Sequence, residues 1–289
     1  MIPLNRSNLI SMKIRLGPSG IPISAESNSS IEGVKKVAEL GLEAMEISFT
    51  HGIHMSLPTA KELGKVAKDL DVELSIHVPY FVNLASVDKK IIEASKKRIT
   101  DSLARGVEMG ATIVAAHAGY YGKDKEKSIE MIFEACKEIT QLIENNGWNI
   151  DFGLETMGKQ ASFGTLEEII NLCKKLKHLV PYLDPSHIYA RNGGQINFKD
   201  MLDKTESLKL EKIHSHFSGI KYSLVGIGRG NERNHVPMKL AGPDFEEYAK
   251  EILRRKKDIT IISESPILEM DSLAMKEIFE KMGYKFFSN

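Results

Sequence analysis

Eight times along this chain a short apolar run gives way to an amphipathic stretch of helical period, with no linker or break in composition between repeats. The runs are KIRLGPS (13–19), EAMEISF (ending near Thr50), ELSIHVP (73–79) and TIVAAHAG (112–119), then IDFGLETM (150–157), LVPYLDPS (179–186), LEKIHSHFS (210–218) and ITIISESP (259–266). Between them the helical stretches carry their own punctuation. SVDKKIIEASKKRITDSLARGVEMG stops at Gly110, and TLEEIINLCKKLK opens with a Thr165–Glu168 capping box. Strands alternating with helices pair in parallel through right-handed crossovers. Eight such units in 289 residues predict one closed (β/α)8 TIM barrel spanning 13–289, with residues 1–12 as an N-terminal extension. A doubly wound open sheet is the structural alternative, but no GxGxxG follows the first strand. The longest irregular stretch, 218–243, is expected to be a functional loop between strand seven and its helix.

Composition narrows the classes of partner. With 39 basic and 39 acidic residues the net charge is zero, so a nucleic-acid surface would have to be local. No apolar run reaches the ~20 residues of a membrane span, and the opening segment is too polar for a signal peptide. Cys136 and Cys173 show no CxxC or Cys/His spacing and are read as reduced thiols. A cytoplasmic, monomeric protein is expected.

A barrel gathers the C-terminal ends of its strands on one face, where its chemistry sits. Those ends carry His77, His117, Glu155, Asp184, His187, His214, His216 and Glu264, including five of the nine histidines. Taken singly, a strand-end histidine is more often a packed, hydrogen-bonded ring, and an aspartate before proline more often caps a turn. Together they need a cation, because carboxylates packed this closely resist ionisation without one. Imidazoles and carboxylates on a rigid frame suit Zn2+, Mn2+ or Fe2+. His214 and His216 share a strand face. His216 is nearer the rim and is the expected ligand, with His214 as a possible one or a barrel-layer residue. Eight donors exceed one ion's first shell, so Glu155 is read as bridging two ions. Closely spaced divalent ions suit phosphodiester hydrolysis.

HVPYFVNLAS (77–86), AAHAGY (115–120), GLETMG (153–158), LDPSH (183–187), HFSGI (216–220) and SESP (263–266) together resemble the endonuclease IV family of abasic-site endonucleases, within the xylose-isomerase-like barrels. The resemblance covers residue 13 to about residue 285. It implies a hydrolase of DNA repair that uses two or three divalent ions, zinc above all, to cut double-stranded DNA 5′ to an abasic site. On that pattern His77 and His117 bind one ion with Glu155 bridging to a second, Asp184, His216 and Glu264 complete the second site, and His187 binds a third. Glu155 and Glu264 are the candidate catalytic carboxylates. Tyr80, Arg229 and Arg233 are the candidate DNA contacts, with Lys221 on the same loop. The family's Asp-x-His pair for the third ion is replaced here by Glu232-Arg233-Asn234-His235. Glu232 substitutes for the acid, Asn234 falls where histidine is expected, and His235 serves only if the loop shifts by one residue. The alternative is a sugar isomerase or epimerase holding one Mn2+ or similar ion on Glu155, Asp184, His216 and Glu264.

Overall fold

The computed structural model describes residues 12–50 and 52–286, so residues 1–11 of the expected extension lie outside the described residues. In chain order the elements are β1 (Ile14–Pro18), α1 (Ser30–Glu39), β2 (Ala44–Ser48), α2 (Leu57–Asp69), β3 (Glu73–His77), α3 (Lys89–Met109) and β4 (Ile113–Ala116). Next come α4 (Lys125–Asn145), β5 (Asp151–Glu155), α5 (Leu166–Cys173), β6 (Leu179–Leu183), α6 (Pro185–Arg191) and α7 (Phe198–Glu206). The chain ends with β7 (Lys212–Phe217), β8 (Gly219–Gly226), β9 (Arg229–Val236), α8 (Phe245–Arg255), β10 (Asp258–Ser263) and α9 (Glu269–Lys281).

Eight strands form one parallel sheet in the order β1-β10-β7-β6-β5-β4-β3-β2. Its two ends meet: Glu43 N donates to Leu16 O (3.0 Å) and Gly20 N to Glu46 O (2.9 Å), with a parallel bridge from Ser19 to Glu46. Gly17 permits that seam, since a Cβ there would lie 1.5 Å from the Ala44 carbonyl oxygen. The expected (β/α)8 barrel is what the chain forms.

Strand alternation sends apolar side chains outward to the helices and polar ones inward. Outward-facing Ile14, Leu16, Leu74 and Ile261 join Val34, Leu63, Leu103 and Ile139 of the helices in the main buried cluster. The lower interior is a paired-charge plug in which Arg15 lies 3.6 Å from Glu73 and 3.7 Å from Glu43, and Glu73 also pairs with Lys212. One layer up, Tyr182 packs with Ile113 and Ala115. The top layer holds the strand-end histidines and carboxylates.

Two expectations about loops are corrected. Most of the 218–243 stretch is regular: β8 and β9 pair antiparallel across a two-residue turn at Ile227 and Gly228, where Gly228 has φ +64°, and only 237–243 lies outside strands after them. Two-residue hairpin turns need that left-handed backbone, which glycine supplies. The sixth strand also stops earlier than LVPYLDPS implies. Pro185 has no N–H to continue the ladder and begins α6, with Asp184 as the N-cap.

Candidate metal centre

Glu155, at the end of β5, lies at the middle of the cluster and its two oxygens face different partners. Oε2 is 3.1 Å from His77 Nε2 and 3.1 Å from His117 Nε2. Oε1 is 3.2 Å from His216 Nδ1 and 3.1 Å from His187 Nδ1. Glu264, just past β10, sits 3.5 Å from His216 Nδ1 and 3.9 Å from His235 Nε2. Asp184 uses Oδ1 to accept the N–H groups of Ser186 (2.7 Å) and His187 (2.9 Å), while its buried Oδ2 accepts no hydrogen bond. Three groups result whose ligand atoms lie within 4.8 Å of one another: His77, His117 and Glu155; Glu155, Asp184, His216 and Glu264; and His187, His235 and Glu264.

The third group depends on a β-bulge. Lys221 pairs with Asn234 but Tyr222 pairs with Glu232, so Arg233 is one residue extra on β9. Plain alternation would put Glu232 and His235 on opposite faces. With the extra residue both turn toward the site, and Arg233 and Asn234 are exposed. Glu232 Oε2 lies 3.4 Å from His187 Nε2, and His235 Nε2 lies 3.3 Å from the same atom. The bulge thus supplies the one-residue shift that the spacing demanded. Gly158 leaves room for this carboxylate, because a Cβ there would sit 2.0 Å from Glu232 Oε2.

The surrounding loops are tied together by Arg191 at the end of α6. Its buried guanidinium donates to the carbonyls of Met157 (3.2 Å), Ser162 (3.1 Å) and Lys159. Gln160 in turn donates to Arg191 O (2.7 Å) and to Gly230 O on β9 (3.0 Å).

Sequence reasoning missed Glu46. It lies mid-strand on β2, wholly buried, within 3.0 Å of His216 Nε2. Only the closed ring shows that this residue faces inward, so the linear pattern carries no mark of it. His214 belongs to none of the three groups. It sits a layer below His216, its ring 6.1 Å from that of Tyr182. Tyr80 is 54% exposed at the mouth, its ring 5.5 Å from that of His77. Arg229 and Arg233 are exposed on the hairpin, the first bonded to Gln160 and the second to Ser223. Lys221, also exposed, lies on β8. The mouth opens into a cavity of about 520 Å3 whose lining includes His117, His187, Glu232, Glu264 and Lys159.

Electrostatics show why these groups coexist. Burial alone would push the His77 imidazole down, but its hydrogen bond to Glu155 and the charges of Glu155, Glu46 and Glu264 hold it at about 9. His187 and His216 are raised in the same way against their own burial, by Asp184 and Glu232 for the first and by Glu264 and Glu46 for the second. Glu155 is held low despite burial by the charges of His216 and His117. Burial raises Glu46 and the charge and hydrogen bond of His216 more than offset it, leaving it at about 2. Burial pushes His214 down to about 4, outweighing the opposing charge of Glu73. Ring protons can balance the carboxylates; divalent ions would do so with the same donors. The unbonded, buried oxygens Asp184 Oδ2 and Glu232 Oε2 fit such ions.

Fold and site define a (β/α)8-barrel enzyme with buried histidine–carboxylate groups suited to divalent metal. The model of the xylose isomerase-like TIM barrel family matches residues 34–280. The chain belongs to that family. It is 32% identical to an uncharacterized protein of Methanocaldococcus jannaschii, over 92% of this chain and 97% of that one. It is 27% identical to a probable endonuclease 4 of Cenarchaeum symbiosum, over 71% and 76% of the two chains. Among solved structures, a D-tagatose 3-epimerase-like protein superposes with a TM-score of 0.72 at 22% identity, covering 93% of this chain and 96% of that one. Endonuclease IV from Thermus thermophilus superposes with a TM-score of 0.64 at 19% identity, covering 91% and 98%. Among the described residues, no helix is long and apolar enough to cross a membrane.

Proposed function

We propose that this chain is a metal-dependent phosphodiesterase that cuts double-stranded DNA 5′ to abasic sites. The observation that carries the reading is the division of Glu155, one oxygen toward His77 and His117 and the other toward His216 and His187. A single ion does not use that many donors. His77, His117 and Glu155 would hold one ion, and Glu155, Asp184, His216 and Glu264 a second. His187, His235 and Glu264, with Glu232 beside them, would hold a third. Zinc suits these donors, with Mn2+ the harder alternative. Divalent ions in this setting supply charge neutralisation and Lewis acidity to a phosphate. At the mouth Tyr80 offers a ring face to an unstacked nucleotide, while Arg229 and Arg233 reach toward backbone phosphates. The relatives described as probable endonuclease 4 support the same substrate.

The test is metal content per chain together with cleavage of a duplex carrying one tetrahydrofuran abasic site. Two or three zinc ions per chain and nicking abolished by chelator are expected. Fully metallated protein that leaves the duplex intact would refute the nuclease.

One observation favours a second reading. Glu155, Asp184, His216 and Glu264 form a four-donor group with two glutamates. One ion there, with the glutamates moving a proton beside a carbonyl, suits a sugar epimerase. A stoichiometry of one ion and interconversion of a ketose would select it.

A further inference from the structure

Each histidine at the centre has two ring nitrogens, and the partner of the outer one decides which nitrogen is left to bind an ion. His77 Nδ1 faces the Val78 carbonyl at 2.8 Å, and His187 Nδ1 faces the Thr156 carbonyl at 3.0 Å. His235 Nδ1 faces the Ser218 hydroxyl at 2.7 Å. These carbonyl and hydroxyl partners are neutral, although His187 Nδ1 also lies 3.1 Å from Glu155 Oε1 and 3.3 Å from Asp184 Oδ2, both within the cluster. His216 differs: its outer nitrogen, Nε2, faces a carboxylate outside the three donor groups, with Glu46 Oε2 at 3.0 Å and Oε1 at 3.1 Å. Its inner nitrogen, Nδ1, points at Glu155 and Glu264.

Glu46 is held firmly enough to impose a direction. The hydroxyl of Ser19 donates to Oε1 at 2.8 Å, and those of Tyr182 and Ser75 donate to Oε2 at 3.1 and 3.4 Å. Donors from the end of β1, from β3, from β6 and from β7 therefore converge on one carboxylate on β2. With its oxygens so engaged and His216 between it and the cluster, Glu46 acts on an ion through the ring.

We propose that Glu46 is a positioning residue of the metal centre, fixing the proton of His216 on Nε2 so that Nδ1 is presented to the ion shared with Glu155, Asp184 and Glu264. The inference rests on the divalent-metal reading and not on the choice of substrate. A carboxylate partner also makes the imidazole a stronger donor than a carbonyl or hydroxyl partner does. The Glu155–Asp184–His216–Glu264 group should accordingly hold its ion more tightly than the other two.

The test is stepwise competition for Zn2+ between a chelating dye and the wild-type chain, Glu46→Gln and His77→Ala, with the last marking the neighbouring site. Glu46→Gln keeps the shape and loses the charge. It should weaken one zinc step by roughly 10- to 100-fold and leave the step lost in His77→Ala unchanged. Nitrogen-resolved imidazole spectra of the zinc-loaded wild type should place the His216 proton on Nε2. A lower melting temperature with all zinc steps unchanged would mean a purely structural role and overturn the proposal, as would a proton on Nδ1. Should Glu46→Gln fail to fold, Glu46→Asp keeps the charge and loses the reach. A weakened step there supports positioning, and equal affinity overturns it. Wild-type protein that takes up no zinc would sink the metal reading itself, a separate outcome.

Discussion

Asp184 divides its work between two oxygens, and the division can be measured. Oδ1 caps α6 while Oδ2, buried and without a hydrogen bond, lies in the cluster 3.3 Å from His187 Nδ1. Replacing Asp184 by Asn keeps the carbonyl oxygen as cap acceptor but puts an amide NH2, a donor that cannot ligate an ion, where Oδ2 was. That variant should melt within a few degrees of wild type and hold one ion fewer. Asp184→Ala should lose the ion and also about 1 kcal/mol of stability with the cap. Thermal melts and metal content on both variants separate the roles; equal zinc content in Asp184→Asn would remove Asp184 from the ligand set. The Asp184-Pro-Ser-His187 pair was readable in the sequence because proline and aspartate mark a strand-to-helix corner. Glu46 was not readable. A glutamate inside EAMEISF looks like any polar strand residue until the ring closes around it.

At the scale of elements, the hairpin shows both the reach and the limit of spacing. The Gly226-Ile227-Gly228 turn went unread in the sequence, because its strands are short of apolar alternation and the whole stretch reads as a loop. The acid-to-histidine spacing of three could not be reconciled with a flat strand, and the bulge at Arg233 resolves it by turning Glu232 and His235 to one side. The same geometry makes Gly158 critical. Gly158→Ala would drive a methyl into Glu232, whose backbone N–H also bonds the Gly158 carbonyl at 3.1 Å. We expect the zinc step that depends on His187 and His235 to weaken by about tenfold or more, a cost on the order of 1.4 kcal/mol, with the barrel still folded. Chelator competition and far-UV circular dichroism check it; an unchanged third step would mean that Glu232 takes no part.

For the whole molecule, the eightfold alternation made the barrel legible, since each strand–helix unit is local and the parallel closure follows from chirality. The pairing of its interior charges was not legible, because those partners meet across the ring from distant segments. These charges predict a pH response for protein stripped of metal. His77 titrates near 9 in the fold against 6.5 as its ordinary value. Its contribution is complete below about 6.5 and lost as pH rises through 9, amounting to roughly 3 kcal/mol for this ring. His187 and His216 shift in the same direction. The melting temperature of stripped protein should fall between pH 6.5 and 9, and zinc, by replacing the ring protons, should flatten that slope. A slope unchanged by zinc would contradict it.

The clamp formed by Arg191 and Gln160 has its own consequence. It locks the end of α6, the turn after β5 and the hairpin into one unit. His187, Glu232 and His235 therefore ride on a preorganised scaffold, and an ion held there as proposed would have little chain entropy to overcome. Its affinity would be governed by dehydration and charge, and its uptake by passage through the open mouth.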